Sequence, residues 1–191
     1  MQRNSRASRL DNRTWQGVSE RAPNQTLILM VDLKTSGLET LSAVSSQLFN
    51  LRSKNYLTHW NGTNLSPRAI TVVSTGNTPF NTILSNSTYR DIFIDAPLNQ
   101  LSGSQCNFSD SFYASVSFQK AVGRVWGRRL SATQLQIIRG QIEEAHKRGL
   151  KARYWDTPAW PINLRNYVWD VLVQEAAAIT NWNRRVHGLW Y

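Results

Sequence analysis

The stretch "LILMVDLKTSG", residues 27–37, decides the fold. Six of its first seven residues are apolar, which suits a strand buried on both faces. It then places an acid at Asp32 and a base at Lys34, and breaks at Gly37. Side chains in a strand alternate between faces, so positions 32 and 34 project from the same side. A carboxylate and an ammonium side by side at a strand's carboxyl end can salt-bridge each other. They can also hold a cation and an anion together. Both readings stay open from the residues alone.

Moving outward, apolar runs and helical patterns alternate. "TLILMVDL" (26–33), "AITVVST" (69–75), "DIFIDAP" (91–97), "YASVSF" (113–118) and "LKARYW" (150–155) read as strands. Between them, "GLETLSAVSSQLFNLRSKNYL" (37–57) spaces Leu38, Leu41, Val44, Leu48 and Leu51 as one helix. "SATQLQIIRGQIEEAHKRG" (131–149) is the clearest helix. Ser131 and Gln134 form a reciprocal capping box, Leu135, Ile138, Ile142 and Ala145 the buried stripe, and Gly149 the left-handed end. "PAWPINLRNYVWDVLVQEA" (158–176) is a further helix, and "AAIT" (177–180) is expected to open a last strand. Repeated βα units with buried strands imply a parallel sheet covered by helices.

A three-layer sandwich and a (β/α)8 barrel both fit this pattern. The polar residues favour the barrel. Asp32 with Lys34, Thr75 to Asn77, Asp95, Ser115 with Ser117, and Tyr154 to Asp156 all fall at strand carboxyl ends, where barrel enzymes build their sites. The chain has 191 residues, whereas a complete barrel takes about 250, so an incomplete (β/α)8 TIM-type barrel is expected, with the missing βα units at the front.

Three regions follow: a polar leader at 1–23 with five Arg, a partial barrel at 24–180, and a divergent tail at 181–191. The leader lacks the apolar core of a secretory signal peptide. Lys and Arg number 22 against 12 Asp and Glu, a net charge of +10 that attracts polyanions. The densest basic segments, "GRVWGRR" (123–129) and "HKRGLKAR" (146–153), are short. No zinc-finger spacing, glycine-rich phosphate loop or RNA-binding aromatic signature is present, and no nucleic-acid partner is expected. The single cysteine, Cys106, can neither bridge internally nor hold a structural zinc. Six N-x-S/T sequons begin at Asn12, Asn24, Asn61, Asn64, Asn86 and Asn107. They point towards the secretory pathway or a membrane-associated location. An Asn/Ser/Thr-rich loop composition explains them nearly as well.

The segments "VDLKTSG" (31–37), "TGNTPFN" (75–81), "YRDIFIDAPL" (89–98) and "GLKARYWDTPAWPINLRNYVWDVLV" (149–173) resemble the fungal altered-inheritance-of-mitochondria protein 6 family. That family lies among the phospholipase-C-like phosphodiesterases, beside glycerophosphodiester phosphodiesterases. The resemblance runs from about Asn24 to Val173. It implies a distorted barrel that cleaves phosphodiesters with Mg²⁺ or Ca²⁺, acting on a glycerophosphodiester or phospholipid head group. It further implies Asp32 as a metal ligand, Lys34 as a phosphate contact and Trp155 as an aromatic wall of the substrate pocket. Asn77 and Asp95, at neighbouring strand ends, are further pocket candidates. A hard cation wants carboxylate oxygens, and a lysine beside it adds positive charge at the phosphoryl oxygens.

The family pattern also places a catalytic His and an E-x-D pair of metal ligands before the D-x-K. Here nothing before Asp32 supplies them, and His59, His146 and His187 sit elsewhere. Divalent-cation binding by this chain is therefore expected to be weak or absent, and activity impaired. The eighth strand of the family pattern finds no match in "EAAAITNWNRRVHGLWY" (175–191). The rival readings are a non-catalytic remnant that still binds phosphate, and a basic protein that binds anions or a membrane surface. No obligate protein partner is expected. Arg153 reads as a structural ion-pair residue, and Trp169 as core. Neither Ser115 nor Ser117 has a base adjacent in sequence, which argues against a nucleophile.

Overall fold

The computed structural model describes residues 17–19, 22 and 24–180. The polar leader lies largely outside the described residues, and the tail at 181–191, His187 and the Asn12 sequon lie wholly outside them. The chain divides into two compact units, Met1–Phe93 and Ile94–Tyr191. Both are mixed α/β with parallel main strands.

In the first unit β1 (Leu27–Leu33) pairs in parallel with β4 (Ile70–Gly76), Leu27 opposite Ile70 and Leu33 opposite Gly76. The crossover carries α1 (Gly37–Gln47), α2 (Phe49–Ser53) and a short antiparallel hairpin, β2 (His59–Trp60) with β3 (Leu65–Ser66). A parallel connection needs such a crossover because the chain must return to the same end of the sheet. β4 is buried as read, with Val72 and Val73 fully enclosed. β1 is not: Leu27 and Leu29 are 50% and 38% exposed. Among the described residues β1 pairs with β4 alone, and an apolar run does not by itself distinguish an edge strand from a central one.

The single helix expected over 37–57 is two helices parted at Leu48. Arg52 explains where the second turns. Its guanidinium donates to the carbonyl of Ser45 and grips the buried carboxylate of Asp91 through two nitrogens, just ahead of β5. That carboxylate raises the Arg52 pKa above its ordinary value, against the cost of burial. Asn55 then ends the segment with a φ of +57°, a conformation asparagine tolerates. After β4, α3 (Phe80–Ser85) leads towards β5 (Ile92–Pro97), whose last four residues open the second unit.

In the second unit β5, β6 (Ser111–Ser117) and β7 (Lys151–Trp155) are parallel. Their register places Ala96 beside Ala114 and Ala114 beside Ala152. This lane of small side chains admits α5 (Ala132–Lys147) closely, and Ala145 joins Ala96, Ala114, Leu98, Leu101, Val116 and Leu150 in one buried cluster. A second cluster joins α4 (Phe118–Ala121), α5 and α6 (Ile162–Thr180) through Phe118, Ile138, Ile142, Leu164 and Val168. Both halves of the capping box form: Ser131 Oγ accepts from the Gln134 amide, and Gln134 Oε1 accepts from the Ser131 amide. Gly149 takes a φ of +71°.

Two expectations are corrected here. The strand read at 177–180 is helical, because α6 runs on through Thr180; "EAAA" has strong helix propensity and no turn signal precedes it. That helix also begins at Ile162 rather than near 158, since each proline disfavours the helical region for the residue before it, Thr157 and Trp160, and the first helical bonds are those of Leu164 and Arg165 to the Pro161 carbonyl.

His146 follows buried Ala145 on α5. Its Nδ1 is buried without a hydrogen-bond partner among the described residues, and burial pulls its pKa below the ordinary value. The unfolded chain titrates this side chain near about 6.5 and so binds more protons than the fold below that pH. Stability carried by neutral His146 is therefore complete above this pH and is lost as pH falls through it. We expect the thermal midpoint to drop between about pH 7 and about pH 5, and His146→Gln to shrink that drop in calorimetry.

Candidate functional site

The carboxyl ends of β1 and β4 bring three of the expected site residues together. Lys34 Nζ lies 2.7 Å from Asp32 Oδ2, with the side chains 79% and 46% exposed. The salt-bridge reading of the D-x-K is thus realised in the fold. Asn77 Nδ2 donates to the carbonyls of Lys34 and Thr35, at 3.2 and 3.3 Å, while its backbone amide donates to Leu33 at 2.7 Å. Asn77 therefore holds the 33–35 backbone that carries the lysine. In this geometry it is a positioning residue.

Two glycines make the arrangement possible. Gly76 has a φ of +73°, and a Cβ there would stand 2.4 Å from Asp32 Oδ1 and 2.5 Å from the Leu33 carbonyl. The Asp32 carboxylate thus occupies space that any other residue at 76 would fill. Gly37 plays the same part for the next turn, where a Cβ would meet the Asn77 carbonyl at 2.1 Å. The backbones pack closely here, and the Asp32–Lys34 pair beside them is exposed.

The second unit carries Asp95 and Trp155. The strand register sets Asp95 beside Tyr113 and Tyr113 beside Lys151, then Pro97 beside Ser115 and Ser115 beside Arg153. These residues occupy the sheet face opposite the alanine lane. Asp95 is nearly buried, and Arg153 Nη1 lies 3.8 Å from its Oδ2 and donates to Ser115 Oγ at 3.5 Å. Burial raises the Tyr113 pKa, with the Asp95 charge adding to the shift and Arg153 opposing it. Arg153 is the ion-pair residue read from its alternation, and its partner is Asp95. At the end of β7, Trp155 is 46% exposed, and Asp156 Oδ2 accepts a 3.0 Å bond from Ser117 Oγ. Trp169 is 49% exposed rather than core; its indole N–H donates to Thr157, and Arg165 lies over its ring.

The remaining histidine in the described region, His59, stacks on Tyr89 with centroids 5.3 Å apart, and its Nδ1 lies 3.1 Å from the Leu57 carbonyl. Among the described residues no group of three His, Cys, Asp or Glu side chains could hold a metal ion. A divalent cation takes six or more oxygen ligands, and Asp32 offers one carboxylate that already faces an ammonium. These residues alone do not fit a cation.

Residues 1–95 match the family model described as the AIM6-like phosphodiesterase domain. Over 172 residues the chain is 38% identical to the altered inheritance of mitochondria protein 6 homolog of Arthroderma benhamiae, covering 88% of this chain and 54% of that protein. The chain belongs to the altered inheritance of mitochondria protein 6 family. It is also 30% identical to the proteins of that name from Eremothecium gossypii, over 82% of this chain and 44% of theirs, and from Saccharomyces cerevisiae, over 78% and 43%. The chain thus spans about half the length of the curated relatives it matches. No solved structure matches it.

The glycine geometry has a measurable consequence. Gly76→Ala forces a side chain into the left-handed region at about 1–2 kcal/mol and adds a clash with Asp32, so a lowered unfolding midpoint is expected. Gly140, exposed within α5 and with open space around it, is the contrast. There Gly140→Ala should raise stability by about 0.5–1 kcal/mol, as chemical denaturation will show.

Proposed function

We propose that this chain carries the phosphate-facing part of a metal-dependent phosphoric diester hydrolase site that acts on a glycerophosphodiester or phospholipid head group. The two units are read as part of a (β/α)8 barrel of the phospholipase-C-like type. The observation that carries the reading is the Asp32–Lys34 pair, set at a parallel-strand carboxyl end by Gly76 and Asn77 and left open to solvent. The match to a phosphodiesterase family model over the same residues supports it.

The chemistry assigned to these side chains is electrostatic. A phosphodiester carries one negative charge on its non-bridging oxygens, and more gathers there as water attacks phosphorus. The Lys34 ammonium is free to turn from the Asp32 carboxylate to those oxygens, because an exposed ion pair is held by only about 0–1 kcal/mol. Asp32 keeps the ammonium aimed until substrate arrives. Trp155 would wall the head-group pocket, and Asp95, neutralised by Arg153, would stiffen the strands beneath. A divalent cation, when bound, would supply Lewis-acid polarisation of the phosphoryl oxygens. Asp32 would be one of its ligands, and the described residues do not complete the set.

The pair tests the reading. The purified chain should hydrolyse bis-p-nitrophenyl phosphate with Mg²⁺ or Ca²⁺ only at an impaired rate, because the described residues do not complete a cation site, and Lys34→Ala should lower that turnover by about 10²–10³ with little change in thermal midpoint. Asp32→Ala should abolish it. Equal background rates in all three proteins, with glycerophosphocholine still bound by wild type and lost in Lys34→Ala, would instead establish the non-catalytic phosphate binder.

A further inference from the structure

We propose that the loop between α4 and α5, residues 122–130, is a docking surface for an anionic phospholipid bilayer, with Trp126 as the inserted side chain. The inference is independent of the phosphodiester site: it concerns different residues and a different chemistry.

Trp126 is 78% exposed, an arrangement that leaves a large apolar ring in water. It stands between Gly123 and Gly127, whose φ values of +82° and +79° turn the chain on either side of it. The base of the loop is fixed while its tip protrudes. Val122, Val125 and Leu130 are buried in the cluster that contains Phe118 and Ile138. Gln134 Nε2 donates to the carbonyls of Val122 and Arg124, at 3.1 and 3.2 Å. The ring is therefore held out by anchored backbone on both sides.

The charge around it is of one sign. Arg124, Arg128 and Arg129 are exposed, and among the described residues none of them forms a salt bridge. No Asp or Glu occurs between Asp110 and Glu143, so no acid from this stretch offsets them. The Arg124 guanidinium lies 4.7 Å above the Trp126 ring. Beside the ring an open cleft of about 360 Å³ is lined by Val122, Leu130 and Ile137 together with Arg124, Arg129 and Trp126.

This set matches the interface of an anionic bilayer. The indole ring suits the boundary between head groups and acyl chains, guanidinium groups meet lipid phosphates, and aliphatic cleft walls accept hydrocarbon. A single-stranded nucleic acid fits less well. It needs a basic groove with open aromatic faces in series, and here one ring stands alone with a guanidinium on one face.

Sedimentation of the full chain with vesicles tests the proposal. Binding to phosphatidylcholine vesicles containing phosphatidylserine, and not to phosphatidylcholine alone, is expected. Arg128→Gln should weaken it about fivefold, the effect of one basic charge at an anionic surface. Lys54→Gln makes the same charge change at an exposed site elsewhere and should leave affinity within about twofold. Trp126→Ala should weaken binding more than either, and Trp126→Phe should retain binding while losing the tryptophan quenching caused by brominated lipid. Equal losses in Arg128→Gln and Lys54→Gln would overturn the proposal in favour of diffuse charge. Wild-type binding by Trp126→Ala would also overturn it, as would retention on polyuridylate with no vesicle binding. All three sites are exposed, and unchanged thermal midpoints will confirm that the four variants fold.

Discussion

Parallel pairing is the constraint on which the rest of this structure depends. Strands that run the same way cannot be joined by a tight turn, so each must be left through a loop and a crossover at its carboxyl end. In the first unit that end of β1 and β4 holds Asp32, Lys34, Gly76 and Asn77. In the second unit the corresponding end of β6 and β7 holds Ser117, Trp155 and Asp156. Polar chemistry collects at these ends because the strand bodies are committed to packing: Val72 and Val73 in one unit, Ala96, Ala114 and Ala152 in the other. The backbone then supplies the precision. Gly76 lets a carboxylate sit where a side chain would be, and Asn77 ties the exiting loop of its neighbour.

Much of this was legible in the amino-acid order. The periodicity of 131–149 and its Ser131–Gln134 pair specify the helix and its start, because both signals are local and point the same way. The five long strands stand out for the same reason. The features that local sequence does not encode are decided by distant contacts or by subtle local competition. The break at Leu48 is marked by no Gly or Pro, and Arg52 of the second helix is held by Asp91, 39 positions away in sequence. The hairpin at 59–66 is too short for a pattern and is held by the bridge of Trp60 to Arg90. The exposure of Leu27 and Leu29 follows from what pairs with β1, which no run of apolar letters encodes.

The candidate site was legible in its composition more than in its roles. Asp32 with Lys34 was visible as a pair because two positions on a strand share a face. Asn77 could be placed at a strand end, but its work on the Lys34 and Thr35 carbonyls could not be read, since an amide gives no sign of which backbone it will meet. Asp95 and Arg153 each looked isolated until the register put their strands together. The sequons have a further physical meaning. Asn61, Asn86 and Asn107 each accept, through Oδ1, the backbone amide of the Ser or Thr two residues on. That is the Asx turn, and it gives the Asn of each sequon a structural part in its loop; the Ser or Thr is not selected by it, because any non-proline residue supplies the same backbone amide.

The ion pairs also decide where the net positive charge lies. Asp32, Asp91, Asp95, Glu143, Glu144 and Glu175 are each engaged by a Lys or Arg. The acids are few, and the fold spends them on fixing local geometry: a strand end, a helix junction, neighbouring strands, a helix surface, a helix pair. The cations left over are therefore not spread evenly. A stretch without acids, such as 111–138, carries Lys120, Arg124, Arg128 and Arg129 with no salt bridge among the described residues, and the fold presents part of that charge around a protruding tryptophan. Basicity that looked diffuse as a composition becomes local once the six ion-paired carboxylates are set against their partners, and a local field is what a charged surface can recognise.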